Sequence, residues 1–278
     1  MIPYVRTVNY LSASALRMLE QNPVEFYFRR LGPPECAPPR EQQSFPAAVG
    51  TAFDAFVKQA VAKECALACP SQEFMLREVT EQRDRAIAMG AQLLYGYQKS
   101  GAYKRLVEER PSSVTHDFED FVPGTQVPIR SKIDCMIEHA GRVVPHDWKV
   151  TGANRPGQVS PTPGYCRQWD SDQPGLPKAA HEKWQLNFEE LDEDWATQLS
   201  IYSWAMGTPV TEVYASIDEV IVGADGRVRV AQFRNRISEG FQRKLVARLE
   251  DAWRRIKEEK VVPDHIARMS LADAKVLM

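Results

Sequence analysis

Apolar positions recur along this chain with two periods, and the change between them divides it into a helical first part and a sheet-forming second part. Leu11-Ser12-Ala13-Ser14 offers two helix N-caps ahead of a short helix through Glu20. Asn22-Pro23 then restarts the chain as N-cap and first residue of a second helix, VEFYFRRL, closed by Gly32 and two prolines. Five prolines between Gly32 and Pro46 exclude regular structure there. The stretch AAVGTAFDAFVKQAVAKECALA follows as a helix with Val49, Phe53, Phe56 and Val57 at core spacing and Asp54 beside that stripe. A second long helix is expected from about Gln72 to Lys99, interrupted at most by Gly90. These elements make a helical lobe over residues 1–110.

From residue 111 the period becomes two. Val114–Val122, Val127–Glu138 and Arg142–Val150 read as an antiparallel meander. Within it Ile129, Ser131, Ile133, Cys135 and Ile137 form a largely apolar row, which sends Asp134 to the opposite face. In the returning strand Asp147 and Lys149 leave one face while Trp148 points away. Residues 151–183 break the pattern with five prolines and four glycines, a long inserted loop of the kind that is usually functional. Helical order returns in LDEDWATQLSIYSWAMG, capped by Asp192 or Asp194, with Gln198 and Tyr202 four apart on one face. Two strands, Val210–Val222 and Val228–Ile237, are joined by Ala-Asp-Gly-Arg, and Ser238 caps a last helix striped with Leu245, Leu249, Ala252, Trp253 and Ile256. The pattern predicts helices before and after a largely antiparallel sheet, with the sheet core at 111–260 and a tail at 261–278.

Composition narrows the picture. With 278 residues, 44% of them hydrophobic and 26% charged, the chain can bury a sizeable core. No run of eighteen apolar residues and no apolar secretory core is seen, so the expectation is a cytoplasmic protein with no membrane partner. A net charge of -2 confines any nucleic-acid contact to local basic patches. The aromatic-basic run Phe26 to Arg30 is one such patch, or else a core-facing aromatic face with solvated arginines. Five cysteines, at 36, 65, 69, 135 and 166, show no zinc spacing.

The chemistry sits on the hairpin. Hydrolysis of a phosphodiester needs a water nucleophile brought to an anion and charge stabilised on the leaving oxygen, a task suited to a hard divalent cation. Asp134, Asp147 and the main-chain carbonyl of Trp148 are an oxygen-donor set for Mg²⁺ or Mn²⁺, with Lys149 to orient or deprotonate water and offset phosphate charge. Taken alone, Asp-x-Lys is common, and a solvated strand face with an ordinary ion pair is the plainer alternative. Likewise Gln198 and Tyr202 either contact phosphate or base beside the acids, or merely edge an amphipathic helix.

Order and spacing go further. LSASALRMLEQNPVEFYFRRL, VGTAFDAFV, IRSKIDCMIE with VVPHDWKVTG, and DWATQLSIYSWAMG together resemble the RecB-type, phage exonuclease-like branch of the PD-(D/E)XK nuclease superfamily. That resemblance implies an α/β fold with a mixed, largely antiparallel central sheet flanked by helices in one domain of 1–278, with Asp134 and Asp147 as metal carboxylates, Lys149 as catalytic lysine and Gln198 with Tyr202 as the pair that follows. Asp54 stands where the branch usually has histidine, on a helix with Gly50 four residues earlier that would pack close to the hairpin, and is the candidate third metal ligand. The 151–183 loop is longer than the branch usually shows. Relatives with an iron–sulfur cluster need three cysteines near the end; none follows Cys166, which excludes a cluster. No phosphate loop for ATP is present. The implied activity is a divalent-metal-dependent deoxyribonuclease, an exonuclease in repair, recombination or phage DNA processing, acting on DNA alone or beside a helicase or recombination protein. The alternative is an inactive relative retained as a DNA-binding or assembly subunit, against which the joint presence of Asp134, Asp147 and Lys149 argues.

Overall fold

A computed structural model describes residues 4–39, 42–139, 141–152, 186–222 and 228–263. The described strands form a five-stranded sheet in the order β1 (Ser113–Phe121), β2 (Pro128–His139), β3 (Arg142–Gly152), β4 (Val213–Val222) and β5 (Val228–Ile237). Neighbours pair antiparallel except β3 and β4, which run parallel. The expected mixed, mostly antiparallel sheet is therefore what forms. The Ala-Asp-Gly-Arg turn, most of the 151–183 loop and the tail beyond Pro263 lie outside the described residues.

Helices α1 (Ala13–Gln21) and α2 (Pro23–Arg30) begin at the expected caps: the Ser12 side chain accepts from Ala15 N–H, and that of Asn22 from Glu25 N–H. Phe26, Tyr27 and Phe28 are fully buried, so the aromatic run builds core rather than a nucleic-acid surface. Helix α3 (Phe45–Glu64) is continuous. The expected Gln72–Lys99 helix is not: it is split into α4 (Gln72–Met75), a 3₁₀ turn, and α5 (Arg83–Gln98), with Gln82 at φ +41° in the break. Val79 is buried at that break, and Arg83 donates to the carbonyls of Leu76 and Val79. These contacts satisfy carbonyls that helix continuation would have used. Gly90 lies inside α5 and does not interrupt it. Helix α6 (Gly101–Glu108) was not distinguished in the sequence and is capped by Ser100.

One core joins α3, α5 and α6 to Cys135, Ile137, Val144, Trp148 and Val220. Helix α8 (Glu193–Ala205), preceded by the short α7 (Phe188–Leu191), packs with Ile133, Ala215 and Ile217. Helices α1, α2 and α9 (Glu239–Lys257) close a further cluster that includes Ile129. The apolar row of β2 is buried as expected, yet its members serve different cores: Ile133 meets α8, whereas Cys135 and Ile137 meet α3 and α5. The changeover falls at Asp134.

Close approach between helices occurs at Gly90, where a Cβ would lie 2.8 Å from Ala52 Cβ and 2.9 Å from Phe53 N. Gly50, expected to permit packing on the hairpin, has nothing within 4 Å of its Cβ position. Among the described residues no helix is long and apolar enough to cross a membrane.

Candidate active site

The backbone opens a fork at the two acids. β2 and β3 pair from His139↔Arg142 to Cys135↔His146, and the next opposed positions, Asp134 and Asp147, fall just beyond the ladder. From His146 onward β3 pairs instead with β4, beginning at Ser216. On the other side of β2 the ladder to β1 skips Thr115 and Asp134, pairing Val114↔Cys135 and His116↔Ile133. Thr115 has φ +57°, a conformation rarely taken by a β-branched residue, so local strain accompanies the break.

Into this fork reach side chains from both helical layers. From α3, Lys58 Nζ lies 2.7 Å from Asp54 Oδ2 and 2.6 Å from Asp134 Oδ1. From α8, Gln198 Oε1 accepts from Lys149 Nζ at 2.8 Å, and Gln198 Nε2 donates to the Tyr202 hydroxyl at 2.5 Å. Lys149 is ion-paired with Asp147 Oδ2, while Asp147 Oδ1 is buried with no hydrogen-bond donor. Asp147 is only 1% exposed, so the plainer alternative of a solvated strand face does not hold for it.

Electrostatics follow from that crowding. Burial pushes the Asp147 carboxyl well above the usual range, with Lys149 opposing and Asp134 reinforcing. For Asp134 burial acts upward too, but Lys58, a hydrogen bond shared with Asp147, and Lys149 hold it down at about 2. Burial and the charge of Asp134 raise Asp54 to about 6 against the pull of Lys58. Both lysines are carried upward by their carboxylates despite burial, and burial followed by the two acids keeps the Tyr202 phenol neutral. Two acids pushed in opposite directions side by side are a pair that cannot both carry charge comfortably without a cation.

That arrangement fits a hard divalent ion. A buried carboxylate oxygen without a donor, a second carboxylate facing it and an all-oxygen donor set are what Mg²⁺ or Mn²⁺ would use. Among the described residues no group of three His, Cys, Asp or Glu side chains is placed to hold a metal, and Lys58 pairs with both Asp54 and Asp134.

Beneath the site Trp148 faces the other layer, as expected from the alternation. Its indole N–H donates to the Tyr97 hydroxyl at 3.2 Å, and Tyr97 donates to Asp218, which also accepts from Gln232 at 2.8 Å. His146 pairs with Ser216 Oγ at 2.8 Å and meets the Trp148 ring edge-on. This buried network fixes β3 on both sides of Asp147. A cleft of about 510 Å³ leads in, lined by Ser12, Ser14, Arg130, Lys132, Lys149 and Gln198 among others. The acids are not on its wall; Lys149 is.

The model of the PD-(D/E)XK nuclease superfamily matches residues 10–168, more than half of the chain. The chain belongs to this superfamily. The matched span contains the helix pair, α3 and the whole hairpin, so Asp54, Lys58, Asp134, Asp147 and Lys149 fall within it, whereas Gln198 and Tyr202 lie beyond. No curated protein matches the chain. Among solved structures, a candidate exonuclease from Eubacterium rectale is similar at 13% identity and a TM-score of 0.48, over 91% of this chain and 83% of that one. The protein SSO0001 is similar at 13% identity and a TM-score of 0.29, over 85% and 84% respectively.

For a PD-(D/E)XK nuclease, Lys58 is the residue that sequence reading missed. The signal in the sequence is limited to its place one helical turn after Asp54; the burial of Lys58, like that of Ala55 and Ala62, is seen only in the fold.

Proposed function

We propose that this chain is a divalent-metal-dependent deoxyribonuclease, working as an exonuclease in repair, recombination or phage-type DNA processing. One nuclease domain would span the chain. The observation that carries the reading is the pair Asp134 and Asp147, opposed at the end of a ladder with Lys149 beside them. Asp134, Asp147 and the main-chain carbonyl of Trp148 would hold Mg²⁺ or Mn²⁺. Such an ion supplies Lewis-acid polarisation of the phosphodiester and makes water a better nucleophile at neutral pH.

The protein groups do the rest. The Lys149 ammonium, held by Asp147 and Gln198, orients water and offsets phosphate charge from the cleft side. Gln198 keeps that ammonium in place, and the neutral Tyr202 hydroxyl, accepting from Gln198, is free to donate to a phosphate oxygen. Ser12 and Ser14 at the start of α1, with Lys132 across the cleft, supply donors to a nucleic-acid backbone. DNA is the substrate this favours, with a helicase or recombination protein as a partner that opens strands.

The test uses end-labelled linear and closed circular DNA, single- and double-stranded, with Mg²⁺, Mn²⁺ or EDTA. Expected is loss of nucleotides from linear DNA only, abolished by EDTA. Cleavage of closed circles would replace exonuclease by endonuclease. Binding without cleavage in either metal would leave the inactive, assembly-subunit reading.

A further inference from the structure

Lys58 is 2% exposed on α3, where its neighbours Ala55, Val57, Val61 and Ala62 belong to the apolar core. A buried ammonium is stable only when charge and hydrogen bonds meet it, and Asp54 and Asp134 do both, at 2.7 and 2.6 Å. Asp54 comes from the same helix one turn earlier, Asp134 from the fork in the sheet. The cation therefore lies between two carboxylates of different elements, the position from which a bridging ion would join helix to sheet.

Three carboxylates and two ammonium groups leave the fork with one surplus negative charge when all are ionised. One divalent ion reverses that surplus. A second would stack further positive charge against Lys58, which is buried and held by two carboxylates. Nor is Asp54 free to hold it, since its carboxylate is engaged by Lys58 at 2.7 Å.

We infer that Lys58 is a resident cation that takes the place of a second metal ion, so that the site loads a single divalent ion at Asp134 and Asp147 while Asp54 holds Lys58. This rests on the metal-dependent reading above and makes Asp54 and Lys58 positioning residues. They fix Asp134 from the side opposite Lys149, and they commit the nuclease to one metal.

The test is binding of Mn²⁺ alone to the full chain, by calorimetry for stoichiometry and by electron paramagnetic resonance for isolated or spin-coupled ions. Wild type is expected to bind one isolated Mn²⁺. Asp54→Asn and Lys58→Arg should keep that stoichiometry. Lys58→Met, which frees both carboxylates in a similar volume, should raise it to two, with a coupled spectrum. Two ions in wild type, or loss of the single ion in Asp54→Asn, would overturn the inference while leaving metal dependence intact. No Mn²⁺ bound by wild type would instead remove the metal-dependent reading and this inference with it. A folded Lys58→Met that still binds one ion would overturn the inference too, and Lys58→Gln takes its place in the same titration if Lys58→Met does not fold.

Discussion

Asp147 shows how a site is held ready at the expense of stability. Its carboxylate is buried beside Asp134 with one oxygen lacking a donor, and its ion pair with Lys149 opposes only part of the cost of that burial. Asp147→Asn should therefore raise metal-free stability by about 1–2 kcal/mol in denaturant titrations. The same variant should lose cleavage on the order of 10³-fold, the loss of several kcal/mol of transition-state charge stabilisation. Saturating Mn²⁺ should stabilise wild type and leave the variant unmoved. His146 gives a pH dependence of known sign. Burial, aided by Arg234 and opposed by Asp218, lowers it from 6.5 to about 4. Between those values the unfolded chain binds a proton that the folded chain refuses, so its contribution is whole above pH 6.5 and is lost as pH falls towards 4. Relative to His146→Gln, wild type should lose up to about 3 kcal/mol over that window in pH-dependent unfolding.

At the scale of elements, the α3–α5 crossing decides whether Lys58 can reach the fork. Gly90→Ala would place a methyl 2.8 Å from Ala52 Cβ and should cost about 1–3 kcal/mol by forcing the helices apart. Gly50→Ala, in open space on α3, should instead stabilise by up to about 1 kcal/mol. Thermal melts of the two would separate packing from helix propensity. Elements were legible where periodicity and caps agreed: Ser12, Asn22 and Ser238 mark their helices, and the hairpin was readable from its period of two. The break at residues 79–82 was not, because Val-Thr-Glu-Gln holds no glycine or proline and the kink comes from tertiary contacts of Val79 and Arg83. Of the residues singled out for the site, Asp134, Asp147, Lys149, Gln198 and Tyr202 do converge. Lys58 escaped notice because a lysine in a helix ordinarily reads as solvated, and only the fold puts two acids around it.

For the molecule as a whole, a net charge of -2 and a cleft with few basic groups predict weak non-specific hold on DNA. Arg130 is already paired with Glu119, and Arg17 with Asp194. Lys149 is paired with Asp147 as well, so phosphate contact on the cleft wall is expected mainly from Lys132, with Lys149 and Arg130 beside their carboxylate partners. The slope of log affinity against log salt should then be only about -2 to -3, measured by fluorescence anisotropy with a labelled oligonucleotide in Ca²⁺ or EDTA to prevent cleavage. A steep slope would mean basic contacts elsewhere on the chain.

The fork also constrains how this chain can change in length. Asp134 and Asp147 each stand one residue outside the last paired position, so a single insertion or deletion at either junction would turn its carboxylate to the opposite face of the sheet. Insertion of two would restore the face but displace the acid by about 6–7 Å along the strand. The strands thus admit neither. Asp54 and Lys58 arrive from a helix, where a substitution alters the partner without moving the register. Diversity in this site is therefore free to enter through α3.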